Sequence, residues 1–131
     1  MKILVVGGGA REHAICDAIC RSKDVQLYSV MSNLNPGIKL LASYYLQENE
    51  INVEIIVKYA IEKKVDLVII GPEAALEAGI VNELDKINIK SCSPSKEAAR
   101  IETNKEWMRN ILKKYKIPGQ LKYQTFTDSK K

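Results

Sequence analysis

The sequence has few of the residues from which extracellular frameworks and metal centres are built. It contains three cysteines, Cys16, Cys20 and Cys92, and one histidine, His13. An odd number of cysteines without a repeated spacing argues against a disulfide framework and indicates a reducing compartment. His13, Cys16 and Cys20 would share one helix stripe, but a fourth metal ligand and a paired-cysteine motif are missing. We therefore expect small core cysteines and no metal site.

Long apolar runs and clusters of basic residues are also lacking. No apolar run approaches the roughly 20 residues of a membrane-spanning helix, and Met1 leads into a short strand-like run rather than into a signal peptide. The 20 Lys and Arg residues are scattered and exceed the 16 Asp and Glu residues by only four, whereas a nucleic-acid surface usually needs a basic cluster. We expect a cytoplasmic globular protein that binds neither membranes nor nucleic acids.

A glycine-rich loop near the start of the chain predicts a binding site for an anion. The apolar residues 3–6, three of them β-branched, are typical of a strand buried on both faces of a parallel sheet. Glycines occupy positions 7–9, and a helical pattern begins directly after them. In such a unit, free backbone N–H groups and the positive end of the helix dipole converge where a phosphate binds well. Arg11 adds a guanidinium there, and Glu12 and His13 add groups able to contact a hydroxyl or an amine.

Alternating strand and helix patterns predict the fold. Further strand-like runs occupy residues 25–30, 44–46, 66–70 and 89–92, and amphipathic helices are expected at residues 11–22, 53–61 and 76–84. Asn52 is a candidate cap for the second of these helices. Because strands alternate with helices, we predict an α/β fold with a Rossmann-like, doubly wound parallel sheet and helices on both faces.

Two more polar loops follow predicted strands and are candidate parts of the same site. Residues 35–37 (Asn-Pro-Gly) form either a ligand loop or a plain connecting turn. Residues 71–73 (Gly-Pro-Glu) open the loop after a central strand, at the sheet edge that also carries the glycine loop. Glu73 and Arg11 could therefore face one ligand, although a carboxylate at the start of a helix is also favoured by the dipole alone.

The last part of the chain predicts the beginning of a second domain. A short helix is expected over residues 96–101, and Thr103 with Glu106 has the spacing of a capping box for one more helix. That helix carries an apolar stripe of Trp107, Met108, Ile111, Leu112 and Tyr115, and residues 121–126 have the pattern of a strand. Little chain remains to cover the stripe, so we expect one domain over residues 1–102 and an incomplete second domain over residues 103–131.

Taken together, these motifs resemble the amino-terminal part of the phosphoribosylamine–glycine ligases, also called glycinamide ribonucleotide synthetases. The resemblance covers nearly the whole chain, and its tail around residues 115–119 is most similar to archaeal members. It rests on Gly7-Gly8-Gly9-Ala10-Arg11-Glu12-His13, Asn35-Pro36-Gly37, Gly71-Pro72-Glu73-Ala74, Ala78-Gly79-Ile80-Val81, Ser93-Pro94-Ser95-Lys96, Glu102-Thr103-Asn104-Lys105 and Tyr115-Lys116-Ile117-Pro118-Gly119. Ala10 departs from the pattern, since many relatives have a fourth glycine there.

The resemblance implies an ATP-dependent ligase of purine biosynthesis, with this chain forming a pre-ATP-grasp domain and the start of an ATP-grasp domain. The enzymes join glycine to 5-phosphoribosylamine through a glycyl phosphate, using ATP with Mg²⁺ or Mn²⁺. The implied substrate-binding residues are Gly8, Gly9, Ala10, Arg11, Glu12, His13, Asn35, Gly37, Pro72 and Glu73. Lys105 either reaches ATP phosphates or is a solvated lysine. The remainder of the ATP-grasp polypeptide would be the partner, and we expect no catalytic residue, no tightly bound cofactor and no turnover in this chain alone.

Three other functions remain as alternatives. An NAD-dependent oxidoreductase domain shares the glycine loop, but Glu12 stands in place of the third glycine and residues 30–32 offer no carboxylate for a ribose hydroxyl. A binding or regulatory module for a nucleotide or sugar phosphate would use the same loop without chemistry. The corresponding domain of a different ATP-grasp ligase is the third alternative. The fold alone does not distinguish these functions.

Overall fold

A computed structural model of the protein describes residues 1–126. Over these residues, five strands form one sheet in the order β3-β2-β1-β4-β5, and every neighbouring pair is parallel. The strands are β1 (Lys2–Val6), β2 (Gln26–Met31), β3 (Tyr44–Gln47), β4 (Leu67–Ile70) and β5 (Lys90–Ser91). The chain winds outwards from the central β1 in both directions, which confirms the predicted doubly wound parallel sheet.

Seven helices accompany the sheet within residues 1–126. They are α1 (Ala10–Cys20), α2 (Pro36–Leu41), α3 (Val53–Lys63), α4 (Glu73–Ala78), α5 (Ile80–Lys86), α6 (Lys96–Thr103) and α7 (Lys105–Lys114). The predicted cap of α3 is confirmed, since Oδ1 of Asn52 accepts a hydrogen bond from the backbone N–H of Ile55 at 3.4 Å.

One helix prediction was wrong, and one helix was not predicted. The helix expected over residues 76–84 is two helices, because Gly79 adopts a left-handed conformation (φ +93°) that ends α4 before α5 begins. Residues 35–37 do not form a plain turn. Asn35 caps α2, and Pro36 is the first residue of that helix. Proline is tolerated there because the N–H group of the first helical residue makes no hydrogen bond within the helix.

The sheet separates two apolar clusters, so both of its faces are covered. Leu4 and Val6 of β1 pack in the cluster that contains buried residues of α3, α4, α5 and α6. Val5 packs in the opposite cluster, against residues of α1 and α2. Because side chains alternate between faces along a strand, burial on both sides requires the unbroken apolar run at residues 3–6 of β1. The helices on both faces therefore agree with the prediction.

The segment after α6 departs from prediction in two ways. Thr103 is the last residue of α6 rather than a cap, and Asn104 caps α7 by accepting a hydrogen bond from the N–H of Trp107 at 2.8 Å. No strand forms over residues 121–126, and residues 127–131 of the predicted second domain lie outside the described residues. No residue of α7 is fully buried, and its apolar side chains, Trp107, Met108, Ile111 and Leu112, are half-buried. The domain division at residue 103 stays a prediction.

The cysteines are only partly in the core. Cys16 is buried, whereas Cys20 and Cys92 are exposed, so the prediction of core packing holds for Cys16 alone. Within residues 1–126, no three His, Cys, Asp or Glu side chains are grouped in a way that could hold a metal ion. No helix in the same range is long and apolar enough to cross a membrane.

Candidate functional site

Three loops meet at the carboxyl edge of the sheet. The glycine loop (residues 7–9) follows β1, the asparagine loop (residues 32–35) follows β2, and the Gly-Pro loop (residues 71–72) follows β4. They are neighbours because β1 lies between β2 and β4. The backbone N–H of Gly7 donates to the carbonyl of Val30 at 2.8 Å, which extends the pairing of β1 with β2 into the loop. This edge is where open α/β sheets bind ligands.

The asparagine loop holds the glycine loop through side-chain amides. Nδ2 of Asn35 donates to the carbonyl oxygen of Gly8 at 3.0 Å, and Nδ2 of Asn33 approaches the same oxygen at 3.4 Å. A Cβ at residue 8 would overlap the side chain of Asn33, so only glycine permits this approach of the two loops. Two predicted site residues, Gly8 and Asn35, are thus in direct contact.

The start of α1 offers free backbone donors at the predicted anion site. The helix begins at Ala10 after an extended Gly9, which has no side chain to accept hydrogen bonds from the first turn. Among the described residues, no acceptor receives a hydrogen bond from the backbone N–H groups of Gly8, Ala10 or Arg11. These groups and the positive end of the helix dipole lie together. Ala10 does not have a positive φ, so the missing fourth glycine causes no backbone strain here.

Arg11 and Glu73 face each other across this edge, as predicted. Two guanidinium nitrogens of Arg11 donate to the two carboxylate oxygens of Glu73, at 3.0 and 3.3 Å. The hydrogen bond from Arg11 is the main cause that lowers the pKa of Glu73, and the backbone N–H at the start of α4 contributes further. The pKa of Arg11 is correspondingly raised, chiefly by Glu73. Both side chains are well exposed, at 65% and 42%, so a ligand can reach and separate them.

Glu12 lies beneath the glycine loop rather than at the surface. Its side chain is only 4% exposed, and its Oε2 accepts a hydrogen bond from the backbone N–H of Gly9 at 2.7 Å. The other carboxylate oxygen, Oε1, is buried without a hydrogen-bond partner among the described residues. The carboxylate that the sequence suggested for a ligand hydroxyl or amine is therefore covered by protein.

The other predicted residues pack at the same edge. The ring of His13 lies directly against Gly37, where a Cβ would overlap it. Pro72 precedes α4 as its N-cap, and its Cδ lies close to the glycine loop, 2.8 Å from where a Cβ of Gly7 would stand. The three loops are thus closely packed, and Arg11 and Glu73 are the charged groups exposed above them.

The structure adds one residue to the site and separates another from it. Glu102, in the last turn of α6, lies near enough to influence the pKa of both Arg11 and Glu73, although their own pairing has the larger effect. Only the packing of α6 against α4 brings it there, and the sequence carries no signal for this. Lys105 is exposed at the start of α7, and within residues 1–126 no hydrogen bond or ion pair joins it to the three loops.

The sequence is similar to that of known ligases over almost its whole length. A family described as "Phosphoribosylglycinamide synthetase, N domain" matches residues 1–102. The phosphoribosylamine–glycine ligase of Methanosphaera stadtmanae is 51% identical over 128 residues, and that of Pyrococcus furiosus is 46% identical over 130 residues. These alignments cover 98% and 99% of the chain, but it spans only 29% of the length of either relative.

Solved structures show the same fold at low sequence identity. Phosphoribosylglycinamide synthetase from Anaerococcus prevotii matches 88% of this chain with a TM-score of 0.68 and 18% identity, and the match covers 29% of that structure. N5-carboxyaminoimidazole ribonucleotide synthetase from Thermotoga maritima matches 89% of the chain with a TM-score of 0.68 and 19% identity, covering 31% of that structure. These likenesses support the fold alone. The sequence match over residues 1–102 is the decisive one, and by it the chain belongs to the phosphoribosylglycinamide synthetase N-domain family.

Proposed function

We propose that this chain is the amino-terminal part of a purine-biosynthesis ligase that joins glycine to 5-phosphoribosylamine with hydrolysis of ATP, and that it supplies the sugar-phosphate site. One observation carries the proposal: free N–H groups at the start of α1 lie beside the exposed Arg11–Glu73 pair in a domain of this family. An anion site next to a carboxylate suits a ligand with a phosphate at one end and an amine and hydroxyls at the other.

The 5′-phosphate would bind at the backbone N–H groups of Gly8, Ala10 and Arg11, where the helix dipole favours a negative charge. The guanidinium of Arg11 would turn from Glu73 towards the phosphate, since both are acceptors for the same fork of donors. Glu73 would then be free to accept hydrogen bonds from the ribose hydroxyls or the amine. The two residues that pair in the ligand-free protein would thus bind opposite ends of the ligand, Arg11 the phosphate and Glu73 the hydroxyls or the amine.

The remaining chemistry would lie in the rest of the polypeptide. A carboxylate oxygen of glycine would attack the γ-phosphorus of ATP, releasing ADP. The sugar amine would then attack the acyl phosphate, lose a proton and displace phosphate. The described residues hold no group of three His, Cys, Asp or Glu side chains that could bind Mg²⁺ or Mn²⁺, so the metal ligands would lie in the rest of the polypeptide. Lys105 stays a candidate for the ATP phosphates.

The partner that we propose for α7 is the rest of the ATP-grasp polypeptide. Tyr115, the residue directly after this helix, is 64% exposed, and no residue of the helix is buried. The cation–π contact of Arg100 with Trp107, at 4.6 Å, links α7 to α6 and so to the first domain. A half-buried apolar stripe, in a chain that spans 29% of the length of its relatives, is suited to pack against the rest of the polypeptide.

Calorimetric titration with glycinamide ribonucleotide, the stable product, tests the function, with ATP and NAD titrated in parallel. We expect the ribonucleotide to bind and Arg11→Ala to weaken its binding by about tenfold or more, because a charge-assisted contact is lost. Arg21→Ala is the matched control, since Arg21 pairs with Asp17 at the other end of α1. Binding of NAD instead, or no binding of the ribonucleotide, would contradict a preformed sugar-phosphate site.

A further inference from the structure

The buried carboxylate of Glu12 occupies a space that three glycines leave open. A Cβ added at Gly7 or Gly9 would stand 2.6 Å from an atom of the Glu12 side chain, and one added at Gly71 would overlap its Oε1. Gly7 and Gly9 belong to the glycine loop and Gly71 to the Gly-Pro loop. The carboxylate therefore lies between the loop that leads to Arg11 and the loop that leads to Glu73.

This arrangement is not what stability alone would favour. One oxygen of Glu12 accepts the hydrogen bond from Gly9, but the other has no partner among the described residues and no contact with solvent. A buried polar atom without a partner is unfavourable, and natural proteins retain such features chiefly where function needs them. The position also puts Glu12 out of reach of a ligand at the surface, because its side chain is 4% exposed.

We propose that Glu12 is a positioning residue: its carboxylate joins the glycine loop to the Gly-Pro loop and thereby sets the separation of Arg11 from Glu73. This inference rests on the proposed function and concerns the same site. It assigns Glu12 no contact with the substrate. Its role is to keep the phosphate end and the amine end of the site at the distance that one ligand spans, through its hydrogen bond to Gly9 and its packing against Gly71.

The proposal makes the amide variant the informative one. Glu12→Gln keeps both the acceptor for the N–H of Gly9 and the volume between the loops, so it should bind the ribonucleotide within about threefold of the natural protein. Glu12→Ala removes the acceptor and leaves the space empty. A residue that contacted the ligand amine through its negative charge would instead lose binding equally in both variants.

The experiment compares two ligands by calorimetry. Glycinamide ribonucleotide engages both ends of the site, whereas ribose 5-phosphate lacks the nitrogen substituent. Glu12→Ala should lower the affinity for the ribonucleotide by about tenfold more than the affinity for ribose 5-phosphate. If the two ends of the site are no longer correctly spaced, only the ligand that contacts both ends loses a contact. Gly71→Ala, which displaces the carboxylate from the other side, should give the same change in the ratio. Asn52→Ala is the control for a lost helix cap away from the site, and its ratio should not change.

The possible results distinguish a positioning role of Glu12 from a direct contact with the ligand, from a purely structural role and from failure of the proposed function. Equal loss of ribonucleotide binding in Glu12→Gln and Glu12→Ala would overturn the positioning role in favour of a direct contact. An unchanged ratio of the two affinities in Glu12→Ala, with a lower folded fraction by circular dichroism, would reduce Glu12 to a structural residue. Gly71→Ala keeps the test open if Glu12→Ala does not fold. If the natural protein binds neither ligand, the proposed function fails rather than this inference.

Discussion

Replacing Asn35 should damage both the stability of the domain and its ligand site. Its Oδ1 caps α2 by accepting hydrogen bonds from the N–H groups of Gly37 and Ile38, at 3.0 and 3.2 Å, and its Nδ2 donates to the carbonyl of Gly8. Loss of a cap costs about 1 kcal/mol, and loss of a partly buried amide hydrogen bond costs about 1 kcal/mol more. Asn35→Ala should therefore lower the free energy of unfolding by about 2 kcal/mol.

Two further variants separate these contributions. Asn52→Ala removes only the longer, exposed cap of α3, so it should cost about 1 kcal/mol or less. Asn35→Asp retains the capping oxygen but replaces the donor to Gly8 with an acceptor that faces the carbonyl oxygen, so it should recover at most about half of the lost stability. Because the hydrogen bond from residue 35 to the carbonyl of Gly8 is lost, the glycine loop is no longer held in place. The affinity of Asn35→Asp for glycinamide ribonucleotide should therefore stay as low as that of Asn35→Ala.

Urea denaturation followed by circular dichroism measures the stabilities, and calorimetry measures the binding. If Asn35→Ala were no less stable than Asn52→Ala, the hydrogen bond to Gly8 would contribute nothing to stability. If Asn35→Asp bound the ribonucleotide as well as the natural protein does, that hydrogen bond would not hold the glycine loop in its binding conformation.

Two more predictions concern titrating groups. Burial raises the pKa of the Cys16 thiol to about 12. Iodoacetamide at mildly alkaline pH should therefore modify the exposed Cys20 and Cys92 in the native protein, but Cys16 only after unfolding. Mass spectrometry that found Cys16 labelled as fast as the other two would contradict this. Arg11 lowers the pKa of Glu73, so their pairing stabilises the fold above the pKa of an unfolded glutamate and is lost as the pH falls through the lower folded value. Arg11→Ala should raise that pKa towards the ordinary range in a carboxyl NMR titration, and an unchanged pKa would exclude the pairing in solution.

Much of the fold could be predicted because its strands are short apolar runs in strict alternation with helices. Two differences between prediction and structure lie where one local pattern suits two structures. The Asn-Pro-Gly sequence at residues 35–37 favours a turn, but Asn followed by Pro also begins a helix, and the structure uses the second option. The apolar spacing of Leu76, Ile80 and Leu84 passes unbroken through Gly79, so periodicity alone could not reveal the break there.

The site was predictable to the extent that it follows from the order of the strands. Carboxyl ends of neighbouring parallel strands share an edge, which is enough to bring Arg11 and Glu73 together. The burial of Glu12 depends on three glycines, one of them on a separate loop, and the approach of Glu102 depends on helix packing. Such contacts between distant segments have no periodic signature, so sequence patterns could not place these two carboxylates.

Because β1 is the central strand, the ligand site forms only at a late step of folding. Arg11 and Glu73 are 62 positions apart in the chain, and they meet only after β1 has paired with β4. That pairing closes a long stretch of chain that includes β2, β3 and α3. Closing so long a loop is entropically demanding and belongs to slow, non-local steps of folding. A ligand that contacts both residues would bind only the protein in which the sheet is complete. Its binding would therefore shift the equilibrium from partly folded states to the native state. Occupancy of the site would thus protect this domain against proteolysis.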